Sequence, residues 1–126
     1  MTSTIVSTIL TVCNASRLLL GCRPVGNSLL TVAAMGERAN VLYDCSTTAS
    51  CTNQANGVGW YFSSSYSWGF AQGNDSVARG SCDTSSTNPS YRLCWHTGGT
   101  YGGYRCGITT VLNSDTTWQR VIYHAN

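Results

Sequence analysis

Val58-Gly59-Trp60-Tyr61-Phe62 and, after three serines, Tyr66-Ser67-Trp68-Gly69-Phe70-Ala71 are the paired runs whose reading decides the fold. Aromatic and β-branched residues suit a pleated, half-buried surface, and Ser63-Ser64-Ser65 supplies the turn between two strands. Alternation sets Tyr66, Trp68 and Phe70 on one face of the second. Downstream, Tyr91 to Thr97 regains strand character. Cys106 to Leu112 and Thr117 to Tyr123 read as a final strand pair, joined by the turn Asn113-Ser114-Asp115-Thr116. Between these runs, Gly98 to Tyr104 is a glycine and tyrosine hairpin tip. Trp60, Trp68 and Trp95 are expected in the core, because burying them contributes strongly to stability.

Upstream, Thr4 to Cys13 carries apolar residues on both alternating faces, which predicts a strand covered on each side. Arg17 to Cys22 is a second apolar run, broken by Pro24 to Asn27. Ser28 to Ala34 and Val41-Leu42-Tyr43 read as two further strands. Ser46 to Gly59 has the composition of a loop stapled by its own disulfide. Gln72 to Pro89 is too long and polar for an ordinary connection and predicts a functional or disulfide-anchored loop. Residues 1–126 are thus expected to form a single all-β domain. Its architecture should be a disulfide-stapled antiparallel β-sandwich or barrel-like fold with long loops.

Composition narrows the partners. Helix formers such as Glu, Gln and Met are scarce and lysine is absent, whereas serine and threonine make up about a quarter of the 126 residues. A net charge of +2 carried on isolated arginines offers no basic stripe for counterion release, so nucleic acid is not an expected partner. No run is long and apolar enough for a membrane-spanning helix, so membrane insertion is not expected.

The seven cysteines lack the spacing of a structural zinc site and point to disulfides, hence to secretion. An odd count leaves one thiol free or paired with another chain, so a disulfide-linked homodimer is open. The short loops suggest Cys45 with Cys51 and Cys94 with Cys106, leaving Cys13 as the odd one. Asn14-Ala15-Ser16 and Asn74-Asp75-Ser76 are glycosylation sequons, in keeping with secretion. The opening Met1 to Ile5 lacks the basic start and apolar centre of a signal peptide, as expected of a mature chain with an added methionine.

Three constellations could carry chemistry. Gly73-Asn74-Asp75-Ser76 with Asp83 offers the oxygen ligands that a calcium ion needs, although an Asx turn without metal explains the same residues. A bound Ca²⁺ could take two vicinal sugar hydroxyls while an aromatic face covers the ring. Galactose suits this, because its axial 4-hydroxyl leaves a continuous C–H face. Tyr101, Tyr104 and Trp118 are the aromatics expected at the surface. Arg79, Arg105 and Arg120 could donate to sugar oxygens or pair with Asp83 or Asp115. Lastly, His96 and His124 with Glu37 could form a hydrolytic acid–base set, but no second carboxylate partners Glu37 and lysine is absent for phosphate binding. His96 is therefore assigned to the sheet or to the rim of a sugar site, and an enzyme is not expected.

Two family resemblances bear on these readings. Cys13, Leu18, Leu20, Cys22, Leu30, Val32, Ala34, Gly36 and Arg38 resemble the opening of rhamnose-binding lectin domains of the sea-urchin-egg type. Met35 stands where that pattern has tyrosine, and Glu37 is inserted between the glycine and the arginine. The second resemblance covers residues 58–126. Trp68-Gly69-Phe70-Ala71, Arg79-Gly80-Ser81-Cys82-Asp83, Arg92-Leu93-Cys94-Trp95-His96-Thr97, Gly103-Tyr104-Arg105-Cys106-Gly107, Leu112-Asn113 and Trp118-Gln119-Arg120-Val121-Ile122-Tyr123 are similar to a module of secreted marine-invertebrate proteins. That module includes galactose-specific, calcium-dependent sea-anemone lectins.

The resemblance implies a secreted lectin for terminal galactose that uses Ca²⁺, and the odd cysteine adds the expectation that it gains avidity as a homodimer. From the residues of this sequence alone, the expected sugar-binding residues are Tyr101, Tyr104, Trp118, Arg79, Arg120 and His96, and the expected metal ligands are Asn74, Asp75 and Asp83. A non-catalytic adhesion or matrix module that binds protein is the alternative, and a small secreted ribonuclease-like hydrolase is the third.

Overall fold

The computed structural model of the chain describes residues 3–43, 53–62, 68–73, 76–78, 83–85, 90–95, 103–112 and 114–126. The chain opens with helix α1 (Ser3–Val12) and then strands β1 (Arg17–Pro24) and β2 (Val32–Glu37). A short helix α2 (Arg38–Val41) precedes β3 (Asn53–Ala55), β4 (Val58–Tyr61) and β5 (Trp68–Gln72). Next come β6 (Ser76–Ala78), β7 (Asp83–Ser85) and β8 (Leu93–Trp95). The last strands are β9 (Gly103–Cys106), β10 (Thr109–Leu112) and β11 (Trp118–Ala125).

All pairings are antiparallel. They form a small sheet of order β11-β1-β2, a large sheet of order β10-β9-β8-β5-β4-β3, and a β6-β7 ribbon. The result is a sandwich-like all-β fold, as the aromatic runs predict.

Trp60, opposite Phe70 in the β4-β5 register, meets that ring edge to face at 5.6 Å. Phe62 and Trp68 make a second such contact, also at 5.6 Å. Both faces of β5 are buried, which explains a run with no polar residue between Trp68 and Ala71. Gly69 (φ +154°) lies so close to β8 that an added Cβ would sit 2.0 Å from the Leu93 carbonyl oxygen. The Tyr61 hydroxyl donates to that same oxygen at 3.2 Å.

The two sheets meet where the Trp60 ring lies against Gly36, whose hypothetical Cβ would stand 2.9 Å from the indole. The Cys22–Cys106 disulfide joins β1 to β9 across the same gap.

Several expectations are corrected. Residues 4–13 are not a strand: Val6 and Leu10, one helical turn apart, bury one face of α1 against the core, while Ile5, Ile9 and Val12 remain exposed. The β-branched content favours a strand, but tertiary packing outweighs that propensity. Thr11 adapts to the helix by donating its hydroxyl to the Ser7 carbonyl at 2.9 Å. Val41-Leu42-Tyr43 likewise ends a helical turn rather than forming a strand, and Val41 is buried.

The strand expected from Ser28 begins only at Val32. The predicted hairpin of the last two strands does not form, because β10 pairs with β9 and β11 crosses to β1. Cys106 is bonded to Cys22, not to Cys94. Cys94 is itself in a disulfide whose partner lies outside the described residues, as does the expected Cys45–Cys51 pairing. Cys13 is free and exposed, matching the expected odd cysteine. The 72–89 segment contains the β6-β7 ribbon. The 46–59 segment contains a β3-β4 hairpin turned by Asn56 (φ 54°) and Gly57 (φ 80°), a primed-turn signature that the polar composition masked.

Candidate functional site

The side chains of Trp118, Arg120, Ile122 and His124 share the face of β11 that carries Leu18, Leu20 and Cys22 on β1, toward the large sheet. At the Pro24 end of β1, Trp118 pairs with Pro24 and is partly buried against the core. Arg120 pairs with Cys22, beside the inter-sheet disulfide. Its guanidinium carbon stands 4.0 Å over the centre of the Tyr104 ring, and its Nη1 donates to the Cys94 carbonyl at 3.4 Å. Tyr104 is held on β9 opposite Val111, with both side chains buried.

The turn before β11 adds a carboxylate. The Asp115 Oδ1 accepts from the Thr117 backbone N–H at 2.8 Å and from its hydroxyl at 2.5 Å. These bonds hold the exposed carboxyl below its ordinary pKa. Both bonds go to Oδ1 of this exposed side chain. Burial pushes the Tyr104 phenol up, an effect that Arg120 opposes and Asp115 reinforces. Burial also lowers Arg120, with Tyr104 opposing. Asp115, Tyr104 and Arg120 therefore share one electrostatic neighbourhood.

Of the expected sugar-binding residues, the fold brings Tyr104, Arg120 and Trp118 together, but in altered roles. Tyr104 is buried rather than displayed at a hairpin tip, since β9 lies between β8 and β10 inside the large sheet. Arg120 is committed to the Tyr104 ring and to a backbone carbonyl. Trp118 keeps an accessible edge. Tyr101, Arg79 and His96 lie outside the described residues, as do the expected metal ligands Asn74 and Asp75.

The third expected metal ligand, Asp83, begins β7 opposite Ala78. Among the described residues, no three His, Cys, Asp or Glu side chains converge on a metal position. The alternative pair Glu37 and His124 projects from opposite faces of the small sheet, since Glu37 lies in the Arg17 row and His124 in the Leu18 row. Arg105 donates to the Thr110 hydroxyl at 2.6 Å.

No family model, curated protein or solved structure matches the chain.

Asp115 was legible only as a turn residue or ion-pair partner. The stronger signal was Asp115-x-Thr117, an Asx turn that places a pinned carboxylate directly before a strand opening with tryptophan. A different hollow, of about 550 Å³, is lined by Ala15, Ser16, Glu37, Arg38, Ala39 and Leu42 beside α2. It is wide open and lacks an aromatic wall. Among the described residues, no helix is long and apolar enough to cross a membrane.

Proposed function

We propose that the chain is a secreted, non-enzymatic lectin that recognises terminal galactose at the end of the sheet sandwich, stacking the sugar on Trp118. The observation that carries this reading is the Trp118–Asp115 pair. Trp118 is partly buried, and three residues before it the exposed Asp115 carboxylate is pinned at Oδ1 by Thr117. Such a pair offers an apolar platform for the C–H face of a sugar and a fixed acceptor for its hydroxyls. Arg120 and Tyr104 serve as the platform's support, holding β11 against the large sheet.

Disulfides at Cys22–Cys106 and at Cys94 support an oxidising location. Calcium dependence rests on Asn74, Asp75 and Asp83 as oxygen ligands and on the resemblance to sea-anemone lectins. A calcium ion there would hold sugar hydroxyls in its coordination shell.

Galactose titrated into the protein should change tryptophan fluorescence in a saturable way. Trp118→Ala should abolish that change and Asp115→Asn should weaken it several-fold. EDTA should reduce affinity, and binding unaffected by EDTA would remove calcium from the reading. Full binding by Trp118→Ala would move the site elsewhere.

A further inference from the structure

The outward face of the small sheet lacks the polar residues that a half-buried sheet ordinarily shows to water. Its central positions are Leu19 and Gly21 on β1, Ala33 and Met35 on β2, and Val121 and Tyr123 on β11, all non-polar. They lie in register, as the rows Tyr123-Leu19-Met35 and Val121-Gly21-Ala33. Met35 is 61% exposed and Tyr123 50% exposed. Leu30 lies over Gly21, where an added Cβ would come within 2.8 Å of it, and the neighbouring Leu29 is 75% exposed. The ends of the patch are polar: Arg17 is opposite Glu37 at one, and Arg23 donates to Gln119 at 3.2 Å at the other. An apolar centre with a charged rim is the anatomy of a protein interface.

We propose that this face packs against the same face of a second copy, about a two-fold axis parallel to the strands and lying between β1 and β2. The argument for a second copy is self-complementarity. Arg17 and Glu37 occupy one row on neighbouring strands. A two-fold between those strands carries Arg17 of one copy over Glu37 of the other, and Glu37 over Arg17. The same operation lays Leu19 on Met35 and brings Leu30, which covers Gly21, toward Ala33 of the other copy. Tyr123 reaches past β2 and closes the edge. With its rim, the face would bury on the order of 1,000 Å² in total, near the lower limit for a specific interface, which fits a reversible dimer with a micromolar dissociation constant. Trp118 and Arg120 lie on the opposite face of β11, so both copies keep that end open. The dimer does not rest on the sugar reading.

Sedimentation velocity on Cys13→Ser, which removes any covalent link through the exposed thiol, tests the proposal over about 1 to 200 µM, a range spanning micromolar dissociation constants. The Cys13→Ser protein should shift from monomer to dimer as concentration rises. In the same background Met35→Lys and Tyr123→Lys should stay monomeric with unchanged circular dichroism. Glu37→Arg should weaken association at least about tenfold by setting like charges against each other across the axis. The double variant R17E/E37R should recover it. A Cys13→Ser protein that is monomeric throughout would overturn the proposal, as would a Met35→Lys protein that still dimerises. A double variant no better than Glu37→Arg would overturn the two-fold placement.

Discussion

The large and small sheets use apolar residues in opposite ways. In the large sheet Trp60, Tyr61, Trp68 and Phe70 are buried on both faces of β4 and β5, so the aromatic density that dominates the sequence is spent on packing. The small sheet sends Leu18, Leu20 and Cys22 inward, yet its outward rows are also apolar, and Met35 and Tyr123 on them are exposed. An aromatic run in the sequence therefore marks the core here, and the surfaces proposed for partners lie on the quieter sheet: Trp118 and Asp115 at its end, Leu19, Met35 and Tyr123 on its back.

The contrast predicts unequal costs. Trp60→Ala should lose about 3 to 5 kcal/mol in urea unfolding, as for a large buried aromatic, and Gly69→Ala should also be severe because its Cβ would meet backbone that cannot move aside. Tyr123→Ser should cost the monomer less than about 0.5 kcal/mol. Equal losses in Trp60→Ala and Tyr123→Ser would break the comparison. Replacing both Cys22 and Cys106 by serine removes a link across a sequence separation of 84 residues, and a destabilisation of about 4 kcal/mol is expected from chain entropy.

Arg120→Met should cost about 1 to 2 kcal/mol through loss of the contact with Tyr104 and of the bond to Cys94, and it should weaken sugar binding only through the position of Trp118.

The smallest effect concerns pH. Asp115 has its folded pKa below the ordinary 3.8, so its contribution is present above that value and is lost as pH falls through the lower folded pKa. The gap in melting temperature between the protein and Asp115→Asn should be present at neutral pH and close in strong acid. A gap that widened on acidification would contradict the Thr117 bonds.

Much of this organisation was legible in the sequence, for identifiable reasons. The β4 and β5 runs were readable because strand periodicity, aromatic content and the serine turn all agree. The core placement of Trp60 and Trp68 followed from the same alternation. Helix α1 was not readable: Ile5, Val6, Ile9 and Leu10 satisfy the helical repeat, but valine, isoleucine and threonine pull the reading toward a strand. The crossing of β11 to β1 is a long-range choice that no local pattern records, and the Cys22–Cys106 disulfide follows the same topology. At the candidate site, Trp118 and Arg120 were identifiable as residue types, but only the fold sets Arg120 on Tyr104 and leaves Trp118 partly buried.

The central claim is that the end of the small sheet recognises galactose. A glycan array probed with the full chain, with and without calcium, tests it most directly. Terminal-galactose glycans should retain the protein in calcium, and Trp118→Ala should lose that retention. Failure to retain any glycan under either condition would contradict the claim.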